Sequence, residues 1–93
     1  GAISDFTKAI EINPQYAKAY NNRGFSKTYL EDNYGAISDY TKAIEINPNY
    51  ALAFANRGSA KESIGDMKGA CADWQKASQL GDQDATQWVR KQC

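Results

Sequence analysis

The chain contains no histidine among its 93 residues. That removes the commonest general base and the commonest metal ligand together. Two cysteines, Cys71 and Cys93, are too few and too far apart in sequence to form a zinc site by themselves. No stretch approaches the run of about 18 apolar residues that spans a bilayer, and no basic start leads into an apolar block as in a secretory signal. Neither sign of charge predominates: 11 basic and 11 acidic residues cancel and are scattered. This argues against nucleic acid or an anionic membrane as a partner, since both demand a basic surface. The carboxylates are spread over caps and outer faces, and Lys8–Glu11 and Lys42–Glu45 read as solvated neighbours on one helical turn. No enzymatic activity, catalytic residue, metal or cofactor is expected.

What is present is said twice. GAISDFTKAIEINPQYA from Gly1 returns as GAISDYTKAIEINPNYA from Gly35, identical at fifteen of seventeen positions and at a lag of 34. The match runs on: residues 16–46 against 50–80 are identical at thirteen of 31 positions. A fixed period of this length marks a stacked repeat whose units cannot bury their apolar faces alone.

Each unit reads as two helices. The first is expected from about Pro14 to Leu30 and again from about Pro48 to Ile64, with Asn13 or Asn47 as N-cap and proline at the first helical position. The second starts after Asp32-Asn33 and after Gly65-Asp66, where glycine supplies a left-handed stop and aspartate a cap. Within it Ala36, Tyr40 and Ala43 form one stripe, and Ile37 and Ile44 another, so this helix lies between two neighbours. The fold class is therefore all-α: an α-solenoid of antiparallel helical hairpins. Its segments are 1–13, the second helix of a truncated repeat; 14–47 and 48–81, two full repeats; and 82–93, a C-terminal capping helix. Because the chain opens at Gly1, without Met and in mid-repeat, it reads as a piece of a longer protein. A cytoplasmic location is expected, with any targeting segment outside these residues.

The pattern Tyr20, Gly24, Ala36, Tyr40, Ala43, Pro48, and then Phe54, Gly58, Ala70, Trp74, Ala77, resembles the tetratricopeptide repeat (TPR). The second set ends at Asp82 where proline belongs. Gly24 faces Ala36 and Gly58 faces Ala70, letting paired helices approach while the large rings fill the space beside them. Two departures stand out. Arg23 and Arg57 replace the usual leucine, and Lys27 and Lys61 the usual tyrosine. A half-buried arginine needs a partner; hairpin geometry offers Asp39 to Arg23 and Asp73 to Arg57, the alternative being that both arginines snorkel to solvent.

The resemblance implies a concave groove, lined by the first helices, that receives a peptide or helix of another protein. Carried over by position, its residues are Lys18, Asn21, Asn22, Phe25, Thr28 and Tyr29, then Leu52, Ala55, Asn56, Ser59 and Glu62, and at the cap Thr86, Val89 and Arg90. Asparagine can donate and accept along a peptide backbone, and Phe25 and Tyr29 would anchor apolar groups. Co-chaperone members of the family clamp a carboxylate with Lys, Asn and Arg. Against that pattern Asn22 and Asn56 match, whereas Asn21, Phe25 and Leu52 stand where other types belong, so the clamp reads as broken. A pentatricopeptide-like RNA role is disfavoured by the zero net charge and by the TPR landmarks.

At the N-terminus, Ala2, Phe6 and Ala9 form a bare apolar stripe. The alternative function is therefore homo-oligomerisation through this face, as a homodimer or domain-swapped oligomer. At the other end Ala85 and Trp88 continue the pattern, with Trp88 expected in the core, and the ASQLGDQDA link resembles junctions of Sel1-like repeats. Cys71 and Cys93 read as two inert thiols, with a disulfide stapling the cap as the alternative.

Overall fold

Three aspartates start helices. Asp32, Asp66 and Asp82 accept hydrogen bonds from the backbone N–H groups of Gly35, Gly69 and Ala85 at 3.0, 2.9 and 2.8 Å, each satisfying one of the unpaired donors of a first turn. In the computed structural model, which describes Gly1–Cys93, these caps open α3 (Asn33–Ile46), α5 (Met67–Gln79) and α6 (Gln83–Gln92). The remaining helices are α1 (Ala2–Ile12), α2 (Ala17–Tyr29) and α4 (Ala51–Ser63).

Asn13 and Asn47 do not cap the helices that follow them. Their backbone N–H groups close α1 and α3 by donating to the Ala9 and Ala43 carbonyls at 2.9 Å. Their side-chain oxygens accept from the backbone N–H of Gln15 and Asn49 at 3.2 Å. An asparagine bonded two residues ahead makes a turn, which competes with capping a helix three residues ahead. The prolines fall inside that turn, and α2 and α4 begin three residues later than the proline signal predicts.

The turns after α2, α4 and α5 share one closure. The N–H groups of Asp32, Asp66 and Asp82 donate five residues back to Lys27, Lys61 and Ala77, the Schellman arrangement. The residue before each aspartate is left-handed: Glu31 (φ 62°), Gly65 (φ 87°) and Gly81 (φ 102°). The α5–α6 link thus uses the within-hairpin turn instead of the Asn-Pro turn, which is why Asp82 stands where proline was expected.

Successive helices pack on one another as a row of antiparallel hairpins, 39 × 25 × 16 Å in extent. The core is built of alanines around two large rings, Tyr40 and Trp74, both fully buried. Glycine is required where those rings cross: a Cβ on Gly24 would lie 2.8 Å from the Tyr40 ring, and one on Gly58 2.6 Å from Trp74. Trp88 stacks obliquely on Trp74, with ring centres 5.4 Å apart, and packs against the same core. The Trp74 Nε1 group is buried without a hydrogen-bond acceptor.

Cys71 and Cys93 form a disulfide, with their Cα atoms 5.9 Å apart. The reading as free thiols is thereby corrected. Antiparallel packing brings the start of α5 beside the end of α6, so residues separated by 22 positions meet. Such bonds persist in oxidising surroundings, which sets this one against the expected cytoplasmic location. No helix is long and apolar enough to cross a membrane.

Candidate functional site

The first helices of the units, α2, α4 and α6, repeat their positions at steps of 34. Lys18 and Asn22 on α2 correspond to Leu52 and Asn56 on α4 and to Thr86 and Arg90 on α6. Lys18 and Arg90 are exposed, Asn22 and Asn56 half-buried. One register thus carries two asparagines and an arginine, and the register one turn before it carries a lysine, a leucine and a threonine.

Beside it lies a hollow lined by Phe25, Thr28, Tyr29, Tyr40, Asn56 and Ser59. Phe25 and Tyr29 are 48% and 75% exposed and meet edge to face, with ring centres 5.2 Å apart. Two aromatic rings left in water on adjacent turns are an apolar anchor in waiting. The buried Tyr40 reaches the floor, its hydroxyl 3.2 Å from that of Thr28. Burial pushes the Tyr40 hydroxyl above its ordinary pKa of 10.0, so it remains a neutral hydrogen-bonding group at physiological pH. Leu52, half exposed, extends the apolar surface.

Three residues expected in the groove, Asn21, Ala55 and Val89, are elsewhere. Asn21 is 2% exposed; its Oδ1 accepts from the Asn56 Nδ2 at 3.2 Å. Val89 packs against the core cluster that holds Phe54 and Ala55. Asn21, Ala55 and Val89 occupy one register, which faces the seam between neighbouring first helices. They stack the repeats. Thr86 is likewise engaged, its hydroxyl paired with that of Ser78 on α5. Asn56 keeps its Oδ1 available because only its amide nitrogen is used by Asn21.

The departures from the family pattern prove to be one device. Asp39 accepts from Arg23 at 2.9 and 2.8 Å and from Lys27 at 3.1 Å. Asp73 receives Arg57 and Lys61 in the same way. The arginines therefore do not snorkel away. Each also donates to a threonine of the preceding unit, Arg23 to Thr7 and Arg57 to Thr41, and lies over the ring of Tyr20 or Phe54 at 5.5 Å. Bonding to Asp39, against the opposing effect of burial, raises the Arg23 pKa further. The sequence reading marked the lysines as departures but gave them no partner, and it missed the threonines, although both recur at the lag of 34 and so carried a signal. On the N-terminal stripe, Ala2 is exposed and Phe6 and Ala9 are half-buried.

The family model for the tetratricopeptide repeat matches residues 17–50. No curated protein sequence matches the chain. Among solved structures it is similar to the first TPR of Spaghetti (RPAP3) bound to the HSP90 peptide SRMEEVD, with a TM-score of 0.90 at 26% identity over 96% of this chain and 72% of that one. The Arabidopsis OM64 TPR domain superposes with a TM-score of 0.88 at 31% identity, over 98% of this chain and 79% of that one. The second TPR domain of human RPAP3, in complex with the HSP70 peptide SGPTIEEVD, gives 0.88 at 27% identity over 96% and 76%. With its helical hairpins, its 34-residue period and its Gly24–Tyr40 and Gly58–Trp74 crossings, the chain belongs to the tetratricopeptide repeat family.

Proposed function

We propose that this chain is a non-catalytic binding module whose concave face, formed by α2, α4 and α6, takes an acidic peptide with a free terminal carboxylate. The observation that carries this is the register of Asn22, Asn56 and Arg90, with Lys18 one turn before Asn22, beside the apolar pair Phe25 and Tyr29. Two cations and two amides suit a carboxylate and its neighbouring backbone, while the rings take an apolar side chain. On this reading Lys18, Asn22, Asn56 and Arg90 would hold the carboxylate, although the clamp reads as broken at Asn21, Phe25 and Leu52. Two structural relatives are bound to peptides that carry paired glutamates and end in Val-Asp, SRMEEVD and SGPTIEEVD, and a ligand of that chemistry fits here.

The test is fluorescence anisotropy with labelled SRMEEVD and SGPTIEEVD, each with a free or an amidated end. A dissociation constant on the order of 10 μM for the free acid is expected, weakened about tenfold by amidation and again by Arg90→Ala or Asn22→Ala. Equal binding of amidated and free peptides, or binding indifferent to both substitutions, overturns the proposal.

A further inference from the structure

The hollow beneath Phe25 and Tyr29 has a rim of one chemistry and a floor of another. The two rings form the rim; Thr28, Tyr40, Asn56 and Ser59 complete the lining, and none of the six side chains is charged. The hydrogen bonds below the rim use up donors and leave oxygens. Thr28 has a single hydroxyl hydrogen, which the backbone carbonyls of Gly24 and Phe25 take at 3.0 and 2.7 Å. In the 3.2 Å contact between the two hydroxyls Tyr40 is therefore the donor, and its own oxygen keeps acceptor capacity alone. Asn21, buried in the seam, holds the Asn56 Nδ2 and leaves the Asn56 Oδ1 to accept. Ser59 adds a hydroxyl able to donate or accept. At the step of 34, Glu62, Ser63 and Trp74 replace Thr28, Tyr29 and Tyr40, so neither the aromatic rim nor the hydroxyl pair is repeated.

We infer, building on the peptide-binding reading above, that this hollow takes the carboxamide side chain of a glutamine in the bound peptide. Thr28 and Asn21 act as positioning residues, because they consume donors of Tyr40 and Asn56. A carboxamide brings two N–H donors for the Tyr40 and Asn56 oxygens and one carbonyl for the Ser59 hydroxyl. Its two methylenes lie against the rings of Phe25 and Tyr29. The second N–H of Asn56 remains for the carboxylate end of the peptide. A glutamate of the same shape sets oxygens against oxygens, with no cation in the lining to offset them. A lysine ammonium enters without a counter-charge, at the cost of its desolvation. A methionine fills the rim and leaves the floor oxygens without donors.

The probe is labelled SRMEEVD in which each residue ahead of the paired glutamates is replaced in turn by Gln, Glu and Met, read by fluorescence anisotropy. At one of those places Gln is expected to bind about fivefold tighter than Met and about tenfold tighter than Glu, as for one to two net hydrogen bonds. The second arm is Thr28→Val, which keeps the shape and frees the Tyr40 hydroxyl to donate. The Gln-to-Glu ratio is then expected to fall about fivefold, whereas a smaller folded fraction lowers all affinities together. Amidating the peptide ends tests the carboxylate reading separately: if amidation changes nothing while the ratio stands, that reading falls and the hollow keeps its preference. Equal affinities of the three side chains at every place, a preference for Glu or Met throughout, or a ratio indifferent to Thr28→Val overturns the inference. So does the absence of binding by the whole set.

Discussion

Arg57 and Asp73 face each other through two parallel hydrogen bonds, Nε to Oδ2 and Nη2 to Oδ1, both 2.8 Å long. The third guanidinium nitrogen reaches back to Thr41 at 3.2 Å, so one side chain ties the two helices of its hairpin and the hairpin before. Such a fork suits arginine alone, because lysine cannot hold three fixed directions at once. The pair is mostly buried, with side-chain exposures of 17% and 6%, and its removal leaves Arg57 and Lys61 without their counter-charge.

Asp73→Ala is therefore expected to cost about 2–4 kcal/mol, the lower part of this range reflecting the water that still reaches Arg57. Urea unfolding reads it directly. An unchanged midpoint would mean that the cations are already served by solvent. Replacing Arg57, Lys61 and Asp73 together by apolar residues of similar volume should cost less than Asp73→Ala, because no charge is stranded.

Glu31 holds the left-handed position that glycine holds at Gly65 and Gly81. A side chain in that conformation is strained by about 1 kcal/mol. Glu31→Gly removes the strain but loosens the unfolded chain, so a net gain of about 0.5 kcal/mol is expected, visible as a small rise in Tm. A fall in Tm would show that the Glu31 side chain makes a compensating contact.

Burial raises the pKa of both Tyr40 and Tyr50 above the ordinary value of 10.0. The folded state then holds these protons more tightly than the unfolded state. The stability they contribute is fully present below pH about 10 and is lost as pH rises through the folded values. Unfolding free energies measured between pH 8 and pH 11.5 should be flat at first and then fall. Tyr40→Phe should flatten the fall while lowering stability near neutrality by about 1 kcal/mol, through loss of the bond to Thr28.

The disulfide pins the end of the helix that carries Arg90. Closing a loop across 22 positions constrains the unfolded chain by about 3 kcal/mol, so reduction or Cys93→Ser should lower Tm by several degrees. Because Trp88 stacks on Trp74 next to the bond, tryptophan emission should shift to the red on reduction if the cap loosens. A Tm unaffected by reductant would show that α6 is held by packing alone.

Several of these features were legible in the sequence, and the physical reason is locality. The repeat of 34 and the close approach at Gly24 and Gly58, expected against Ala36 and Ala70 with the large rings beside them, follow from side-chain size within a single hairpin. So do the aspartate caps and the Arg23–Asp39 pairing, each confined to one unit. That the rings themselves cross the glycines came from the structure. What the sequence could not settle was which of two adjacent residues faces what. Asn21 and Asn22 are the same residue type one position apart, yet Asn21 is buried in the seam and Asn22 is half-buried in the register of Arg90. That difference depends on the angle at which α4 lies against α2, a property of the stack and not of either helix.

Asn13 and Asn47 were ambiguous for a similar reason, since the same side chain can close a turn or cap a helix and the packing of the next helix decides. The disulfide was a third case. Two cysteines 22 positions apart are remote along the chain and adjacent only once α6 folds back on α5. Sequence by itself determined the repeat, the core and the family, because these rest on short-range sterics said more than once. Tertiary structure alone decided the seam, the exposed register and the disulfide, because each requires helices from different turns of the chain to be set side by side.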